Sequence, residues 1–584
     1  MIILGLNIFH AESSACIIKD GSIIASCEEE RFTYVKNFAG FPLNSIQFCL
    51  NTVGLKSIND VDYISVNTNP YYNLKEKIIY FLKNIFTVNF IPRLSLLRKK
   101  YNVYKLLEEN LKEIYKKKIN YVPHHRSHIA LAYLSSGFKE AIGFSYDAAG
   151  DFSTAEAYYC NKSNIKLIKK TVFPHSLGIF YQAMTQFVGF KQYGEEYKFM
   201  GLAAYGKPTF VNEIRKLVSY DKENFFKLNL KYFRHQKIGF SFNFETCSPN
   251  YKNLFSNELE KLLGPSLKSQ EEIGEREMNI AKSVQTVFEE IVFNILNELY
   301  EKYKIDNLAL SGGCSFNSSL NGKILENTNF KKIYIPSNCG DAGGALGSAL
   351  DTVLNYDKKN CKLKNIKTCY YGPNYSNEEI ENRLINHLNG DIRKKIQIKK
   401  FDLDKDLFEF VADEITKSKI VSWFQGKLEF GPRALGNRSI LADSRNSEMK
   451  NIINKKIKLR ESFRPFAPSI LEENFDEYFN YSQKIPFMNQ VINVRQNKKE
   501  KIPAVVHVDG TARVQTVSKE ENEKYYNLIK TFYKKTGVPI LLNTSFNVNS
   551  PICESPEDAF ECFMKTDIDL LVLENWTLKK NEDL

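Results

Sequence analysis

The stretch "NIAKSVQTVFEEIVFNILNELYEKYKIDNLALSGG", residues 279–313, indicates the fold class of this chain. Its first part places apolar residues three and four positions apart, which predicts a long helix with one buried face. These residues are Ile280, Val284, Val287, Phe288, Ile291, Ile295 and Leu299. The helix leads into "NLALSGG", an apolar run before two glycines that is typical of a buried strand followed by a tight turn. A helix that feeds a buried strand and a glycine turn favours an α/β fold.

The length of the chain and one polar stretch predict two domains. Near the amino terminus, Asp20-Gly21 lies between two β-branched runs and predicts a hairpin. The chain of 584 residues is too long for one hydrophobic core. The polar stretch at 355–380 resembles a linker, so we expect one domain over residues 1–356 and a second over 366–584. No short internal repeat is visible, although an α/β architecture can contain a duplication that sequence does not reveal.

Cysteine usage and the amino terminus bear on the cellular compartment. The eleven cysteines are scattered from Cys16 to Cys562 and form no C-x-x-C pair, which argues against a disulfide framework or a cysteine-ligated zinc. The opening "MIILGLNIFHAESS" has no charged leader of the kind that precedes a signal-peptide core. We therefore expect a reducing, cytoplasmic setting.

The positive charge of the chain is concentrated in one segment. The formal net charge is +12, and residues 75–118 contain twelve Lys and Arg against four Asp and Glu. An apolar stretch lies inside this segment at 78–97, but Lys83 and Pro92 argue against a membrane-spanning helix. Two interpretations stay open: a basic insertion with weak contact to a membrane surface or an anionic acceptor, and a solvated lysine-rich helix.

Histidines are rare but clustered. Three of the eight lie in "YVPHHRSHIALAYLSS", and in a helix His124 and His128 would share one face. Asp147 in "FSYDAAGD" and Asp341 in "SNCGDAGGALG" each lie beside small residues, where a carboxylate can meet a metal or phosphate. Two histidines with two aspartates suit Fe(II), Mn(II) or Zn(II). The alternative is a chance cluster of surface histidines.

Nine segments in order along the chain resemble one known family. They are "HAESSACIIKDG", "EEERF", "HHRSHIALAY", "YKFMGLAAYGKP", "SGGCSFN", "GDAGGALG", "FGPRALGNRSILAD", "ESFRPFAPSIL" and "NTSFNVNSPI". Together they are similar to the O-carbamoyltransferases of the NodU, CmcH and TobZ type, over nearly the whole chain. The resemblance implies an amino-terminal actin-like ATPase domain, similar to TsaD, and a carboxy-terminal YrdC-like α/β domain.

The family resemblance also implies a reaction in two stages. The YrdC-like domain is expected to form carbamoyl-adenylate from carbamoyl phosphate and ATP, which brings Mg²⁺, with release of pyrophosphate. The TsaD-like domain is then expected to transfer the carbamoyl group to a hydroxyl of the acceptor and release AMP. A divalent ion, Fe(II) before Mn or Zn, is expected on His124, His128, Asp147 and Asp341, where it would hold the adenylate phosphate.

Basic residues of the second domain match the family's nucleotide and carbamoyl phosphate site. Adenylation brings two anions together, so it requires cations. The matching positions are Arg433, Lys458, Arg464 and Arg513, with Asn543 and Ser545 supplying neutral hydrogen bonds. Arginine can hold an oxyanion with two donors, while lysine offers a compact charge. The alternative for each arginine is pairing with surface carboxylates.

The first domain carries further matches. Gly312 and Gly313 are expected to let the backbone approach a nucleotide, and Asn317 to bond its ribose or base, although a strand end would also choose glycines. His10 is the candidate for polarising the carbamoyl oxygen or deprotonating the acceptor, with a neutral core histidine as the alternative. Lys198 is expected to contact adenylate or acceptor, but the adjacent Tyr197 departs from the family pattern.

Two other functions and several acceptors stay open. A tRNA threonylcarbamoyl-adenosine-forming enzyme has related halves and would use the positive charge, but "FGPRALGNRSILAD" and "ESFRPFAP" favour small-molecule carbamoyltransferases, for which no nucleic-acid partner is expected. A non-catalytic nucleotide-binding scaffold would require one of the two sites to be broken. The acceptor hydroxyl could belong to a small molecule, a sugar, a nucleotide-linked sugar or a glycolipid. The resemblance also suggests a homodimer.

Overall fold

A computed structural model describes residues 1–84, 102–162, 164–238, 241–243, 247–250, 252–268, 271–361, 365–388 and 390–581. The chain divides into two compact units, Met1–Ile366 and Lys367–Leu584. Both units mix helices with sheets, as expected of an α/β protein. Among the described residues, no helix is both long enough and apolar enough to span a membrane.

The amino-terminal unit contains fourteen described strands. They are β1 Ile2–Asn7, β2 Ser14–Lys19, β3 Ser22–Glu28, β4 Tyr63–Val66, β5 Ile119–Tyr121, β6 Glu140–Gly150, β7 Ser153–Asn161, β8 Asn164–Val172, β9 Val218–Asp221, β10 Phe225–Leu228, β11 Ser241–Asn243, β12 Ser248–Asn250, β13 Asn307–Ser311 and β14 Lys332–Tyr334.

Thirteen described α-helices accompany these strands. They are α1 Glu30–Thr33, α2 Leu43–Thr52, α3 Leu74–Asn84, α4 Val103–Leu111, α5 His124–Ser136, α6 Leu177–Phe187, α7 Glu196–Leu202, α8 Val211–Ile214, α9 His235–Ile238, α10 Asn257–Leu263, α11 Glu275–Tyr303, α12 Ser318–Asn327 and α13 Gly343–Tyr356.

The two large sheets of this unit have the same topology. The first has the order β3-β2-β1-β4-β5, and the second, read in the same direction, β8-β7-β6-β13-β14. In each sheet three consecutive strands form an antiparallel meander, and two further strands continue from its first strand in parallel. A two-stranded ribbon pairs β9 with β10, and another pairs β11 with β12. The unit therefore contains a duplicated motif that the sequence does not reveal.

Two helices pack against each other between these sheets. Helix α13 packs on β1, β2 and β4 of the first sheet, while α5 packs on β6, β7 and β13 of the second. Glycine permits the close approach: a Cβ on Gly347 of α13 would lie 1.9 Å from the backbone oxygen of Ser127 in α5. Similarly, a Cβ on Gly5 of β1 would lie 2.2 Å from the oxygen of Ala345. Both helices are buried along nearly their whole length.

Several local predictions for this unit are confirmed. The apolar periodicity becomes helix α11, whose predicted face is buried, and "NLALS" becomes the buried strand β13. Asp20 and Gly21 connect β2 to β3, and both have a positive φ, as a tight hairpin requires. The histidine-rich stretch forms α5 from His124 to Ser136.

The basic segment is only partly covered by the described residues. Residues 85–101, which hold most of its apolar stretch, lie outside them. On either side the chain is helical, in α3 and α4, and no residue of α3 is buried. Helix α3 therefore matches a helical, solvated stretch, whereas Val103, Leu106 and Leu107 of α4 are buried in the core. Contact of the segment with a membrane or acceptor stays a prediction.

The carboxy-terminal unit is built on one large sheet. Its strands are β15 Ile396–Lys400, β16 Val421–Phe424, β17 Arg438–Asp443, β18 Ala467–Leu471, β19 Val491–Asn493, β20 Thr511–Arg513, β21 Gln515–Val517, β22 Ile540–Ser545, β23 Leu570–Leu573 and β24 Trp576–Lys580. Eight of them form a mixed sheet in the order β15-β24-β23-β16-β17-β22-β18-β21, and β19 pairs with β20.

Helices cover this sheet, which separates two apolar clusters. They are α14 Asn377–Arg383, α15 Gly390–Lys394, α16 Asp404–Thr416, α17 Met449–Ile452, α18 Phe475–Tyr478, α19 Glu523–Thr536 and α20 Pro556–Met564. Helices α16 and α19 pack together over a cluster that includes Trp423 and Leu541. A second cluster includes Phe424, Leu542 and Phe563 of α20. Neighbouring strand residues such as Trp423 and Phe424 enter different clusters because strand side chains alternate between the two faces.

Candidate functional site

Helix α5 presents two histidines at its amino-terminal end. His124 and His128 lie one turn apart, and their Nε2 atoms are 3.1 Å from each other. Both side chains are buried, with 1% and 0% of their surface exposed. The alternative of a chance surface cluster is therefore wrong.

Two aspartates from different elements face these imidazoles. Asp147 belongs to β6, at an irregularity where the pairing with β7 breaks between Tyr146 and Gly150. Its Oδ1 accepts a hydrogen bond from the N–H of Ala148 at 2.7 Å, and its Oδ2 accepts one from the N–H of Gly313 at 2.8 Å. Asp341 lies in the turn between β14 and α13.

The four side chains converge on one point. The Nε2 of His124 lies 3.8 Å from Asp147 Oδ2 and 3.5 Å from Asp341 Oδ1, and the Nε2 of His128 lies 3.5 Å and 3.7 Å from the same atoms. One ligand atom from each residue lies within 4.8 Å of all the others. Most of these separations exceed normal hydrogen-bond lengths, so the donor set fits a divalent cation held between the side chains.

The electrostatics of the group also favour a cation. Burial lowers the pKa of His128, but the carboxylates of Asp147 and Asp341 outweigh it and raise the pKa to about 9. Burial would raise the pKa of Asp147, yet the two imidazoles hold it well below its usual range. Two carboxylates thus attract positive charge to the two buried imidazoles, and a divalent ion would supply it.

Two residues that sequence reasoning missed hold His124 in place. Gly150 leaves room for the ring, because a Cβ there would lie 2.0 Å from His124 Cδ2. Asp151, in a left-handed conformation, accepts the N–H of His124 at 2.8 Å and that of Asn69 at 2.8 Å. Its carboxylate therefore binds an N–H at the start of α5, where helix donors lack intrahelical partners. In the sequence these two residues are the "GD" that follows "DAA", a pattern that an ordinary turn would also explain.

His10 lies beside the metal-ligand group. It follows β1 in a loop where Phe9 and Glu12 both have positive φ, an uncommon conformation for residues other than glycine. Its ring stacks on that of His124 with 5.0 Å between centroids, and its Nδ1 lies 3.9 Å from Asp341 Oδ2. Strained backbone at this loop is of the kind found at functional sites.

Gly313 donates its N–H to Asp147 of this group, Gly312 lies against the backbone of Tyr146, and Asn317 has a structural partner. Gly312 has φ +92°, and a Cβ there would lie 2.4 Å from the oxygen of Tyr146, so no other residue fits. The Oδ1 of Asn317 accepts the N–H of Leu320 and caps α12, and its amide exchanges two 3.0 Å hydrogen bonds with Gln285. The expected contact of Asn317 with a ribose or base stays a prediction.

Lys198 and His125 have identified neighbours. Lys198, on α7, forms an ion pair with Glu195 at 2.8 Å, and its Nζ lies 5.6 Å from the centre of the Phe190 ring. His125 is buried, and its Nδ1 lies 2.8 Å from the hydroxyl of Ser145. His125 thus supports α5 from the side of β6 and is not a surface residue.

In the carboxy-terminal unit, Lys458 is a buried cation. It follows a π-helical turn at Ile453–Ile457 and is only 1% exposed. Its ammonium donates to the backbone oxygen of Asn547 at 2.8 Å and to the side-chain Oδ1 at 3.0 Å, and also to Ser545. Burial, and then the charge of Arg460, holds the pKa of Lys458 well below its usual range.

Four half-buried arginines gather near this lysine. They are Arg433, Arg460, Arg464 and Arg513. Burial, and then the charges of the other three, holds the pKa of Arg513 well below its usual range. Arg464 lies 3.6 Å from Glu461, so the alternative of pairing with a carboxylate holds for this arginine. Repulsion among the four cations is unfavourable, so the cluster is suited to an anion with several charges. Sequence reasoning missed Arg460, although it lies only two positions after Lys458.

The loop that carries Arg433 is fastened by buried polar groups. Glu429, 1% exposed, accepts the N–H groups of Leu435 at 2.7 Å and Asn437 at 2.8 Å through Oε1. The side-chain amide of Asn543, on β22, donates to the backbone oxygen of Ala434 in this loop at 3.2 Å. In the described part of the chain, no hydrogen-bond donor reaches the buried Oδ1 of Asn543.

Comparison with known proteins decides the family. The "Carbamoyltransferase N-terminus" model matches residues 2–350, and the "Carbamoyltransferase C-terminus" model matches residues 412–580. The chain belongs to the carbamoyltransferase family. It is therefore an enzyme that transfers carbamoyl groups, and its predicted resemblance to the NodU-type O-carbamoyltransferases is confirmed.

Relatives span nearly the whole carbamoyltransferase chain. The uncharacterized protein sll1178 of Synechocystis sp. is 37% identical over 99% of this chain and 96% of its own length. Nodulation protein NolNO of Sinorhizobium fredii is 35% identical over 98% of this chain and 80% of its own. Among solved structures, full-length HypF in its phosphate- and nucleotide-bound form has 12% identity and a TM-score of 0.32, covering 61% of this chain and 47% of HypF.

Proposed function

We propose that this carbamoyltransferase activates carbamoyl phosphate with ATP and transfers the carbamoyl group to an acceptor hydroxyl. The observation that carries the proposal is the gathering of four arginines around a buried lysine in one unit, with a separate metal-ligand group in the other. The arginine and lysine cluster is suited to binding the anionic substrates of the activation step, and the metal-ligand group is suited to the transfer step.

The carboxy-terminal unit is proposed to form carbamoyl-adenylate. Water first releases phosphate from carbamoyl phosphate and leaves carbamate. A carbamate oxygen then attacks the α-phosphorus of ATP, the bond from that phosphorus to the β-phosphate oxygen breaks, and pyrophosphate leaves with its Mg²⁺. Arg433, Arg460, Arg464 and Arg513 would neutralise the triphosphate, and Lys458 would bind an oxygen in transfer. Ser545 and Asn543 would orient the carbamate by hydrogen bonds.

The amino-terminal unit is proposed to perform the transfer. The acceptor oxygen attacks the carbamoyl carbon, the bond from that carbon to the AMP oxygen breaks, and the hydroxyl proton passes to a base. His10 is the proposed base because it adjoins the metal-ligand group and is not one of its four members. Gly312 and Gly313, which have no Cβ, would let the adenylate approach the backbone closely. Lys198 would contact the adenylate or the acceptor.

A divalent ion, Fe(II) before Mn or Zn, is proposed on His124, His128, Asp147 and Asp341. When bound, it would supply positive charge against the phosphate of the departing AMP. The chain's own contribution is to hold four ligand atoms around one point and to keep the Asp147 carboxylate charged there.

The domain assignments belong to the same proposal. The repeated five-stranded topology supports an actin-like ATPase fold for the amino-terminal unit. The carboxy-terminal unit, with its mixed eight-stranded sheet and cationic cluster, is proposed to be YrdC-like. The cytoplasm is proposed as its compartment, where ATP and carbamoyl phosphate are available.

The proposal is tested by isotope exchange and by an acceptor screen. Labelled pyrophosphate should enter ATP only when carbamoyl phosphate is present. Candidate acceptors, including sugars, nucleotide-linked sugars, glycolipids and tRNA, are then screened by mass for the addition of one carbamoyl group. Exchange that is independent of carbamoyl phosphate would contradict the adenylate route. Carbamoyl or threonylcarbamoyl addition to tRNA alone would favour the tRNA-modifying alternative.

A further inference from the structure

Helix α3 of the amino-terminal unit turns apolar side chains towards the solvent. Leu74, Ile78 and Leu82 are spaced four residues apart, so they form one row along the helix, and Ile79 lies beside that row. Between 41% and 65% of each of these four side chains is exposed. The apolar stripe of an amphipathic surface helix ordinarily faces the core, so the orientation of α3 is the reverse of the usual one.

Polar and aromatic contacts hold the opposite side of α3 to the rest of the unit. Glu76 Oε1 lies 2.9 Å from the Nζ of Lys170 on β8. The hydroxyl of Tyr80 donates to the backbone oxygen of Gln236 at 2.8 Å, and the Tyr80 ring meets that of Phe173 edge-on with 5.3 Å between centroids. Glu76 and Tyr80 are themselves four residues apart, which places them on a different side of the helix from the apolar row. The helix is therefore anchored through this side and presents its apolar row to the solvent.

Two lysines share the exposed side of α3. Lys75 and Lys83 lie four residues before and after Ile79, so these three residues form a second row next to the apolar one. Both lysines are exposed. Glu76 is the one acidic residue in the sequence of this helix, and it pairs with Lys170 on the anchored side. The exposed side of α3 thus combines apolar side chains with positive charge.

We propose that the exposed side of α3 docks on an anionic lipid surface. Leu74, Ile78 and Leu82 would enter the boundary between headgroups and acyl chains, as the apolar face of an interfacial helix does. The long side chains of Lys75 and Lys83 would reach back to the lipid phosphates. The excess of twelve Lys and Arg over four Asp and Glu in residues 75–118 has the sign that such a surface attracts.

A second copy of this chain fits the exposed side of α3 less well. A symmetric dimer brings the same patch of both copies together, so Lys75 and Lys83 would meet the same lysines of the other copy. Like charges placed together across an interface are unfavourable, and α3 offers no carboxylate on this side to relieve them. Anionic headgroups would neutralise the same lysines.

Docking on lipid would favour one class of acceptor. This consequence rests on the proposed function, whereas the docking itself does not. An enzyme held at a membrane surface meets a glycolipid or a lipid-linked sugar at a higher local concentration than it would in solution. A hydroxyl on such a lipid is therefore the acceptor that the position of α3 favours.

The first test measures binding to vesicles in the absence of ATP, carbamoyl phosphate and acceptor, so its result is independent of the proposed function. The full-length enzyme is sedimented with vesicles of phosphatidylcholine alone or of phosphatidylcholine mixed with phosphatidylglycerol. We expect binding to the mixed vesicles that weakens as added salt screens the charges. No binding to the mixed vesicles, or equal binding to both kinds, would overturn the proposal.

The second test removes part of the apolar row. The double variant Ile78→Gln, Leu82→Gln should lower the partition onto mixed vesicles by about tenfold or more, because two apolar side chains no longer leave water. Glutamine forms helices about as well as leucine, so α3 should persist. Leu403→Gln is the matched control, since this leucine of the other unit is 62% exposed against 65% for Leu82. Equal binding by the double variant and the control would show that α3 is not the docking surface.

The third test removes the charges. Lys75→Gln and Lys83→Gln should each weaken binding to mixed vesicles by about fivefold at low salt, the usual effect of one lysine near an anionic surface. Lys405→Gln changes an exposed lysine of the other unit and should bind as the wild type does. Unchanged binding in both α3 variants would contradict the role of the lysines.

Light scattering and thermal unfolding distinguish the other occupants of this surface. A double variant Ile78→Gln, Leu82→Gln that is monomeric where the wild type is dimeric would show that a second copy covers the apolar row. A double variant with a lower Tm than Leu403→Gln would show that the chain itself covers it. Either result would overturn docking on lipid, and we expect neither change.

Discussion

At the scale of the residue, the metal-ligand group depends on its immediate supports as much as on its ligands. The ring of His124 occupies the space in which Gly150 would carry a Cβ, and Asp151 fixes the N–H of the same histidine. A ligand set spread over three elements is precise only when such neighbours lock its rotamers.

Gly150→Ala should weaken metal binding without removing a ligand. The new Cβ would lie 2.0 Å from His124 Cδ2, so the ring must turn away from the shared point. We expect a loss of about 10-fold to 100-fold in metal affinity, the range found when residues supporting metal ligands are changed. Titration with Fe(II) or Mn(II) measures it. Gly390→Ala, where a Cβ meets nothing within 4 Å, is the control. Equal affinity in both variants would contradict the arrangement.

His128→Ala should remove most of the bound metal. The purified enzyme is expected to carry one divalent ion per chain, and the remaining three ligands cannot restore the lost position. Metal analysis of wild type and variant gives the answer. The His125→Ala variant serves for comparison, because His125 bonds Ser145 and is not a ligand. If His128→Ala keeps its metal and His125→Ala loses it, the ligand assignment is wrong.

The site residues that could be predicted from the sequence are those whose positions depend on local geometry. His124 and His128 are one helical turn apart, so their common face follows from the period of the helix. Arg460 could not be separated from an ordinary surface arginine, because its proximity to Arg513 depends on how β20 folds back in space. The structural partners of Asn317 likewise depend on the distant Gln285.

At the scale of the element, the close packing of α13 against α5 places Asp341 opposite the histidines. Asp341 lies two residues before α13 and the histidines begin α5, so any separation of these helices would open the group. Gly347 permits the contact because its hydrogen faces the backbone of Ser127.

Gly347→Ala should destabilise this unit although alanine favours helices. A Cβ would lie 1.9 Å from the oxygen of Ser127, and a backbone atom cannot yield as a flexible side chain can. Overpacking of this kind costs about 1–3 kcal/mol, against a gain of about 1 kcal/mol in helix propensity. Denaturant unfolding should show a lower midpoint, with Gly390→Ala close to wild type. An unchanged or higher midpoint would mean that the helices can separate freely.

Elements were predicted well where the signal is local. Helix α11, strand β13 and the hairpin at Asp20-Gly21 follow from periodicity and turn chemistry. Asp147 was expected beside small residues, and it lies within β6, at the irregularity in pairing. Such an irregularity depends on the partner strand, and the duplicated sheet topology depends on pairing across the whole unit, so neither has a local signature.

At the scale of the whole molecule, the two units carry different chemical environments. The amino-terminal unit gathers carboxylates and imidazoles, and the carboxy-terminal unit gathers arginines and a lysine. We propose that the second unit activates the carbamoyl group and that the first transfers it. The polar stretch predicted as a linker includes Ile366, where the first compact unit ends.

Exchange and transfer measured on the same two variants distinguish the two steps. Lys458→Met, which keeps the volume of the buried side chain, should abolish exchange of pyrophosphate into ATP and, for lack of intermediate, transfer as well. Its metal content should stay unchanged. His10→Asn should keep exchange near wild type while transfer to the acceptor falls about 100-fold to 10,000-fold, the usual cost of losing a positioned acid or base. If His10→Asn abolishes exchange while Lys458→Met retains it, the assignment of the two steps to the two units is contradicted.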